Sequence, residues 1–129
     1  MTACPFCFRI AAGDVTDANA HAAAFPDGYP LAPGHTLVVP RRHVGSVFEL
    51  EAAEYAALWE LVAAVRERLS AEAAPDAFTI GVNDGAAAGQ TVAHAHVHVI
   101  PRRAGDASDP RGGLRWVLPD RARYWEERG

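Results

Sequence analysis

The sequence predicts an α+β fold, a single domain in which an antiparallel sheet is covered by one long amphipathic helix. Two observations carry this. Between positions 51 and 72, Tyr55, Leu58, Trp59, Val62, Val65 and Leu69 recur at helical spacing, while Glu54, Glu60, Arg66, Glu67 and Arg68 mostly occupy other faces. On either side of that stretch lie short β-branched or alternating runs bounded by proline and glycine. Strands, then a helix, then strands again form the α+β pattern, and 129 residues amount to about one domain.

Taken in order, residues 1–24 hold Cys4-Pro5-Phe6-Cys7 and an alanine-rich stretch, 11–24, too weakly patterned to predict an element. Pro33-Gly34 signals a turn, and Thr36-Leu37-Val38-Val39 is a short strand closed by Pro40. The long helix follows and ends before Pro75. Residues 78–83 alternate with period two, a glycine-containing loop covers 84–90, and a second alternating run covers 91–100, so the two are expected to pair antiparallel. Pro101, Pro110, Gly112, Gly113 and Pro119 break up the remainder, whose Trp116, Tyr124 and Trp125 are expected to pack on something. The expected organisation is one domain over 1–129: an N-terminal Cys-x-x-Cys segment 1–24, a core 25–103 and a C-terminal tail 104–129.

A net charge of -4 supplies no broad basic surface, which argues against a nucleic-acid partner. No apolar run approaches the roughly 20 residues of a membrane helix, and the N-terminus lacks a basic-then-apolar signal pattern, so no membrane partner and a cytoplasmic location are expected. Two cysteines are too few for a disulfide framework.

The chemistry concentrates in His94-Ala95-His96-Val97-His98-Val99-Ile100. On a strand, alternate side chains share a face, so the three imidazoles would project from one surface while Ala95, Val97 and Val99 cover the helix. Three aligned imidazoles can bind a metal, or divide the tasks of nucleophile, orienting partner and charge stabiliser for an anionic substrate. Spacing alone leaves both open.

His-x-His-x-His followed by two apolar residues resembles the histidine triad (HIT) family of nucleotide hydrolases and transferases. The resemblance runs through the Cys-x-x-Cys pair, Ala24-Phe25-Pro26-Asp27, the segment from Pro33 to Pro40, Arg42-His43-Val44, Asn83-Asp84-Gly85, Ala88-Gly89-Gln90-Thr91-Val92 and Pro101-Arg102. It implies a homodimer, and a hydrolase acting on the α-phosphate of a purine nucleoside phosphoramidate or dinucleoside polyphosphate, with an AMP- or GMP-like nucleotide as partner. His96 would be the nucleophile and form a covalent nucleotidyl-histidine intermediate, its ring oriented by the backbone carbonyl of His94. His98 and His35 would stabilise the phosphoryl oxygens, with backbone amides near Val97 assisting. Gln90 and Thr91 would lie beside the leaving group, Asn83 near the α-phosphate or sugar, and Asp27 on the ribose hydroxyls. Phe6, Phe25 and Leu31 would sandwich the base. Asp27 before Gly28 also fits a plain turn residue, and Asn83 a loop cap. Histidine, rather than the glutamine of the family's uridylyltransferase branch, at position 98 favours hydrolysis. No catalytic cofactor is implied.

Cys4 and Cys7 supply half of a tetrahedral zinc site. The resemblance completes it with His43 and His94, giving a structural zinc that ties the N-terminus to the sheet and fixes His94. Two other function classes stand beside the hydrolase. One is a non-enzymatic nucleotide-binding or regulatory module; the other is a metal protein using His94, His96 and His98 directly, which lacks a nearby general base in sequence.

Overall fold

The computed structural model describes residues 3–126, so positions 1–2 and 127–129 of the two terminal segments lie outside it. In chain order the elements are helix α1 (Pro5–Ala11), strands β1 (Asp17–Ala18), β2 (Ala22–Pro26) and β3 (Thr36–Pro40), helix α2 (Ala52–Ala73), and strands β4 (Ala77–Gly81) and β5 (Val97–Arg102), with short 3-10 turns between them and through the tail. The strands form one antiparallel sheet in the order β1-β2-β3-β5-β4.

Period-two alternation gives the sheet two faces with different jobs. Ala22, Ala24, Val38, Val97 and Val99 point to one side and are packed, with Ala95, by Leu58, Leu61, Val62, Val65 and Leu69 of α2. Phe25, Leu37 and Val39 point to the other, where Phe6 of α1 and Cys4 meet them. The helix thus seals one face, and a smaller apolar cluster builds the floor of the other, on which the histidines open. Among the described residues no helix is long and apolar enough to cross a membrane.

Two expectations about boundaries are corrected. The weakly patterned stretch 11–24 contains β1 and most of β2, so the sheet begins before the expected core boundary at residue 25. Ala22, Ala23 and Ala24 are all fully buried. Alanine has poor strand propensity, and burial beneath neighbouring elements overrides it here. The strand expected over 91–100 starts only at Val97 and continues through Pro101 to Arg102. Proline is tolerated there because the ladder to β3 has already closed at Thr36 opposite Val99. The tail's aromatics pack mostly on its own arginines: Arg111 lies 4.4 Å from the Trp125 ring, and Arg123 5.1 Å from that of Trp116.

Gly34 sits at the turn that delivers His35 into the site. Its φ is +90°, and an added Cβ would lie 3.1 Å from Pro101 Cγ and 3.2 Å from Leu69 Cδ2. Gly34→Ala is expected to cost about 2–4 kcal/mol, the sum of left-handed backbone strain and overpacking. Urea denaturation checks this; an unchanged midpoint would contradict it.

Candidate active site and metal-ligand cluster

Ala95, Val97 and Val99 all pack on the α2 side, so His94, His96 and His98 lie on the opposite side in a row, although the regular strand begins only at Val97. The Phe6 ring is 5.7 Å from that of His94 and 5.1 Å from that of His96, whose ring is 5.1 Å from that of His98. His94 is fully buried just before β5, at one end of that row. Its Nε2–H donates to the Pro40 carbonyl at 2.7 Å, so the ring's lone pair lies on Nδ1, with these protonation states assigned from the hydrogen-bond partners. That Nδ1 lies 3.4 Å from Cys4 Sγ, 3.5 Å from Cys7 Sγ and 3.2 Å from His43 Nδ1, while Cys7 Sγ is 3.4 Å from His43 Nδ1. A tetrahedral zinc with Zn–N of about 2.0–2.1 Å and Zn–S of about 2.3 Å requires N···N near 3.3 Å and S···N near 3.5 Å. The four donors, all within 4.8 Å of one another, fit that ion.

The cluster is assembled by three separate pieces of chain. Cys4 caps α1, its sulfur accepting from the Cys7 amide at 3.4 Å. His43 follows Arg42, whose guanidinium forms a two-point bond with Glu54 on α2 at 2.8 and 2.9 Å and holds that carboxyl down at about 2. Burial, then the neighbouring Cys4, pushes the Cys7 thiol up; a dication between the two sulfurs would reverse this.

His96 is held by its neighbour's backbone. Its Nδ1–H donates to the His94 carbonyl at 2.8 Å, so the lone pair lies on Nε2. The His96 ring is 5.1 Å from those of Phe6 and His98. It lines a cavity of about 350 Å³ together with Phe6, Phe25, Asp27, Asn83, Thr91 and His98. A second cavity of about 420 Å³ shares Asp27, Asn83, Thr91 and His98 with the first, and adds His35, Leu31 and Leu114.

A relay of hydrogen bonds fixes the other two rings. The Leu31 amide donates to His35 Nδ1 at 3.0 Å. His35 therefore carries its proton on Nε2 and passes it toward His98 Nδ1 at 3.0 Å, which leaves His98 with an Nε2–H donor. Asp27, His35 and His98 also bring possible ligand atoms within 4.8 Å of one another, but in this arrangement His35 Nε2 is a donor and offers no lone pair. Asp27 is a turn residue, one oxygen accepting from the Tyr29 amide at 2.8 Å, and its other oxygen lies at the cavity wall, 3.4 Å from His35 Nε2.

Burial is the main reason that both rings are held below the ordinary histidine value of 6.5; at His98 the neighbouring His96 and His35 add to it, and Asp27 opposes the shift at both. A histidine with a lowered folded value binds fewer protons folded than unfolded, so its contribution is full above about 6.5 and is lost as pH falls through that value. The thermal midpoint is expected to drop between pH 7.5 and 5.5, and less steeply in a His35→Gln/His98→Gln variant. Parallel slopes in the two proteins would refute this.

Two further expectations change. Gln90 does not face the cavity. Its Oε1 accepts from the Gly85 amide, and its Nε2 donates to the Gly45 and Val92 carbonyls, at 2.8–3.0 Å, so it ties the loop together. Leu31 is largely exposed and lines the second cavity, whereas Phe6 and Phe25, 5.4 Å apart, wall the first, so the three do not sandwich one ligand. The Val97 side chain is buried against α2, so the part of it left for the site is its backbone, the group that the resemblance invoked. Arg9 and Tyr29 line the first cavity and were not picked out from sequence; nothing in a local motif marks them, since helix α1 and the turn after β2 bring them there.

A sequence profile described as the HIT domain matches residues 11–105, leaving Cys4, Cys7, Phe6 and Arg9 ahead of the match. The bis(5'-nucleosyl)-tetraphosphatase (asymmetrical) of Schizosaccharomyces pombe is 41% identical over 87 residues, 67% of this chain and 48% of that protein. A bifunctional bis(5'-adenosyl)-triphosphatase/adenylylsulfatase of Arabidopsis thaliana is 42% identical over 77 residues, 60% and 43% of the two chains. The crystal structure of a HIT family protein from Bacillus anthracis superposes with a TM-score of 0.72 at 34% identity, covering 80% of this chain and 75% of that one. The chain spans about half the length of the two named enzymes.

Proposed function

The chain belongs to the HIT family, and from that premise we propose that it is a nucleotide hydrolase that works through a covalent intermediate on His96. One observation carries the proposal: His96 donates Nδ1–H to the His94 carbonyl at 2.8 Å, so its unprotonated Nε2 serves a cavity whose polar lining includes Arg9, Asn83, Thr91, His98 and the Asp27 carboxylate. A neutral, oriented imidazole is what nucleophilic attack requires. The substrate is a purine nucleoside phosphoramidate or a dinucleoside polyphosphate; the relatives' names, a tetraphosphatase and a triphosphatase/adenylylsulfatase, support a nucleotide with a leaving group on its α-phosphate.

In the first half, the Nε2 lone pair forms a bond to the α-phosphorus as the bond from phosphorus to the leaving group breaks. The leaving group departs with that electron pair and takes its proton from water. The positive charge that develops on the ring is stabilised through Nδ1–H by the His94 carbonyl, and the His98 Nε2–H steadies a phosphoryl oxygen. In the second half, a water oxygen forms the new P–O bond, the P–N bond breaks back to His96, and a proton goes to solvent. Asp27 and Asn83 bind the sugar side, with Thr91 near the leaving group. The test is release of nucleoside monophosphate from adenosine phosphoramidate and from diadenosine polyphosphates. Turnover of either supports the reading; tight nucleotide binding with no turnover of any of them would make the protein a binding module.

The cluster Cys4, Cys7, His43 and His94 holds a structural zinc in this proposal, its two cysteines unpaired by any disulfide and so available as ligands, and a cytoplasmic location is part of the same reading. No catalytic metal is assigned. Strand β4 pairs on one side only, and an unpaired edge is a liability that a two-fold partner removes, so the protein is expected to be a homodimer. A monomer mass in sedimentation at micromolar concentration would overturn that.

A further inference from the structure

Among the described residues, Arg9 is the one arginine or lysine whose side chain lines the His96 cavity. Its guanidinium carbon lies 4.6 Å from the centre of the Phe25 ring, on the wall where Phe6 and Phe25 meet. Its outer nitrogens are loosely engaged: one lies 3.2 Å from the exposed Asp14 carboxylate, and the other donates to the Pro26 carbonyl at 3.4 Å. Its Nε–H is buried and has no partner among the described residues. The side chain as a whole is 30% exposed, so its loosely engaged outer nitrogens are the donors that a ligand can reach.

From this placement we propose that Arg9 reads the base of the nucleotide and selects guanine over adenine. The inference rests on the nucleotide reading of the same cavity. With the phosphate at His96 and His98 and the ribose at Asp27, the flat remainder of a nucleotide reaches the Phe6–Phe25 wall, where Arg9 lies. A guanidinium presents a planar fork that matches two adjacent acceptors. Guanine offers such a pair, O6 and N7, whereas adenine sets an N6 amino donor against the fork beside its single N7 acceptor. A purely apolar wall would accept both purines about equally; a fork left facing a donor rejects one of them.

The test compares the affinities of GMP, IMP and AMP by calorimetry, and turnover of guanosine and adenosine phosphoramidates, in wild type, Arg9→Met and Arg9→Lys. GMP is expected to bind about tenfold tighter than AMP, the effect of one two-point contact. IMP, which has O6 and N7 but no 2-amino group, should bind like GMP. Arg9→Met should bring all three within about twofold while AMP affinity is retained, and Arg9→Lys should lose most of the preference because it lacks the fork. Equal GMP and AMP affinities in wild type, an unchanged ratio in Arg9→Met, or IMP behaving like AMP would each overturn the proposal. A GMP preference that depends on Arg9, with no turnover of any nucleotide, would uphold it and sink the hydrolase reading instead.

Discussion

His96→Gly is expected to lower kcat roughly a thousandfold or more, with nucleotide affinity changed by less than about fivefold. The split follows from what the side chain does. In the proposed mechanism its Nε2 forms the bond to phosphorus, whereas ribose and phosphate contacts are assigned to Asp27, Asn83 and His98, separate side chains that line the same cavity. The substitution also leaves space for a small molecule. Added imidazole should restore part of the lost rate by attacking phosphorus in place of the missing ring. A variant that keeps most of its turnover would exclude His96 as nucleophile, and one that loses affinity in step with rate would make it a binding group.

The second large effect is expected at the cluster of two cysteines and two histidines. Protein purified without chelator should carry about one zinc per chain, and a Cys4→Ser/Cys7→Ser variant should carry essentially none, since a structural zinc needs its four ligands. Losing the ion should lower the thermal midpoint by roughly 10 °C or more, because metal binding is folding energy in such sites. Activity should fall with it, although none of the four cluster residues lines the His96 cavity. The His94 carbonyl orients His96, and His94 is placed by Pro40 on one nitrogen and by the cluster on the other. Chelation of wild type should reproduce both losses and leave the double variant unaffected. Sub-stoichiometric zinc in wild type equal to that of the variant would remove the metal from this account.

Much of this was legible in the sequence. Helix α2 was plain because Leu58, Val62, Val65 and Leu69 repeat at the spacing that one buried face demands. The inward set Ala95, Val97 and Val99 was equally clear, and all three are buried against that helix. What escaped depends on long-range contact. Ala22 to Ala24 form a strand because neighbouring elements bury them, and no local preference for extended backbone marks them. The division of labour that gives His94 to the cluster and His96 to the cavity is set by Pro40, Val44 and the cysteines, residues 50 to 90 positions away in sequence. Gln90 shows the limit of carrying a role by motif, since its two side-chain atoms are spent on backbone groups of the loop. Arg9 shows the opposite case, a residue without a motif that the fold delivers to the cavity.

The central claim is a bond between His96 and the α-phosphorus, and rapid-quench mass spectrometry of the protein mixed with adenosine phosphoramidate or a diadenosine polyphosphate tests it most directly. The account predicts a transient adduct of one nucleoside monophosphate, mapped to the peptide containing His96, that forms and decays fast enough to account for turnover. Turnover with no adduct at any quench time, or an adduct on another residue, would contradict it.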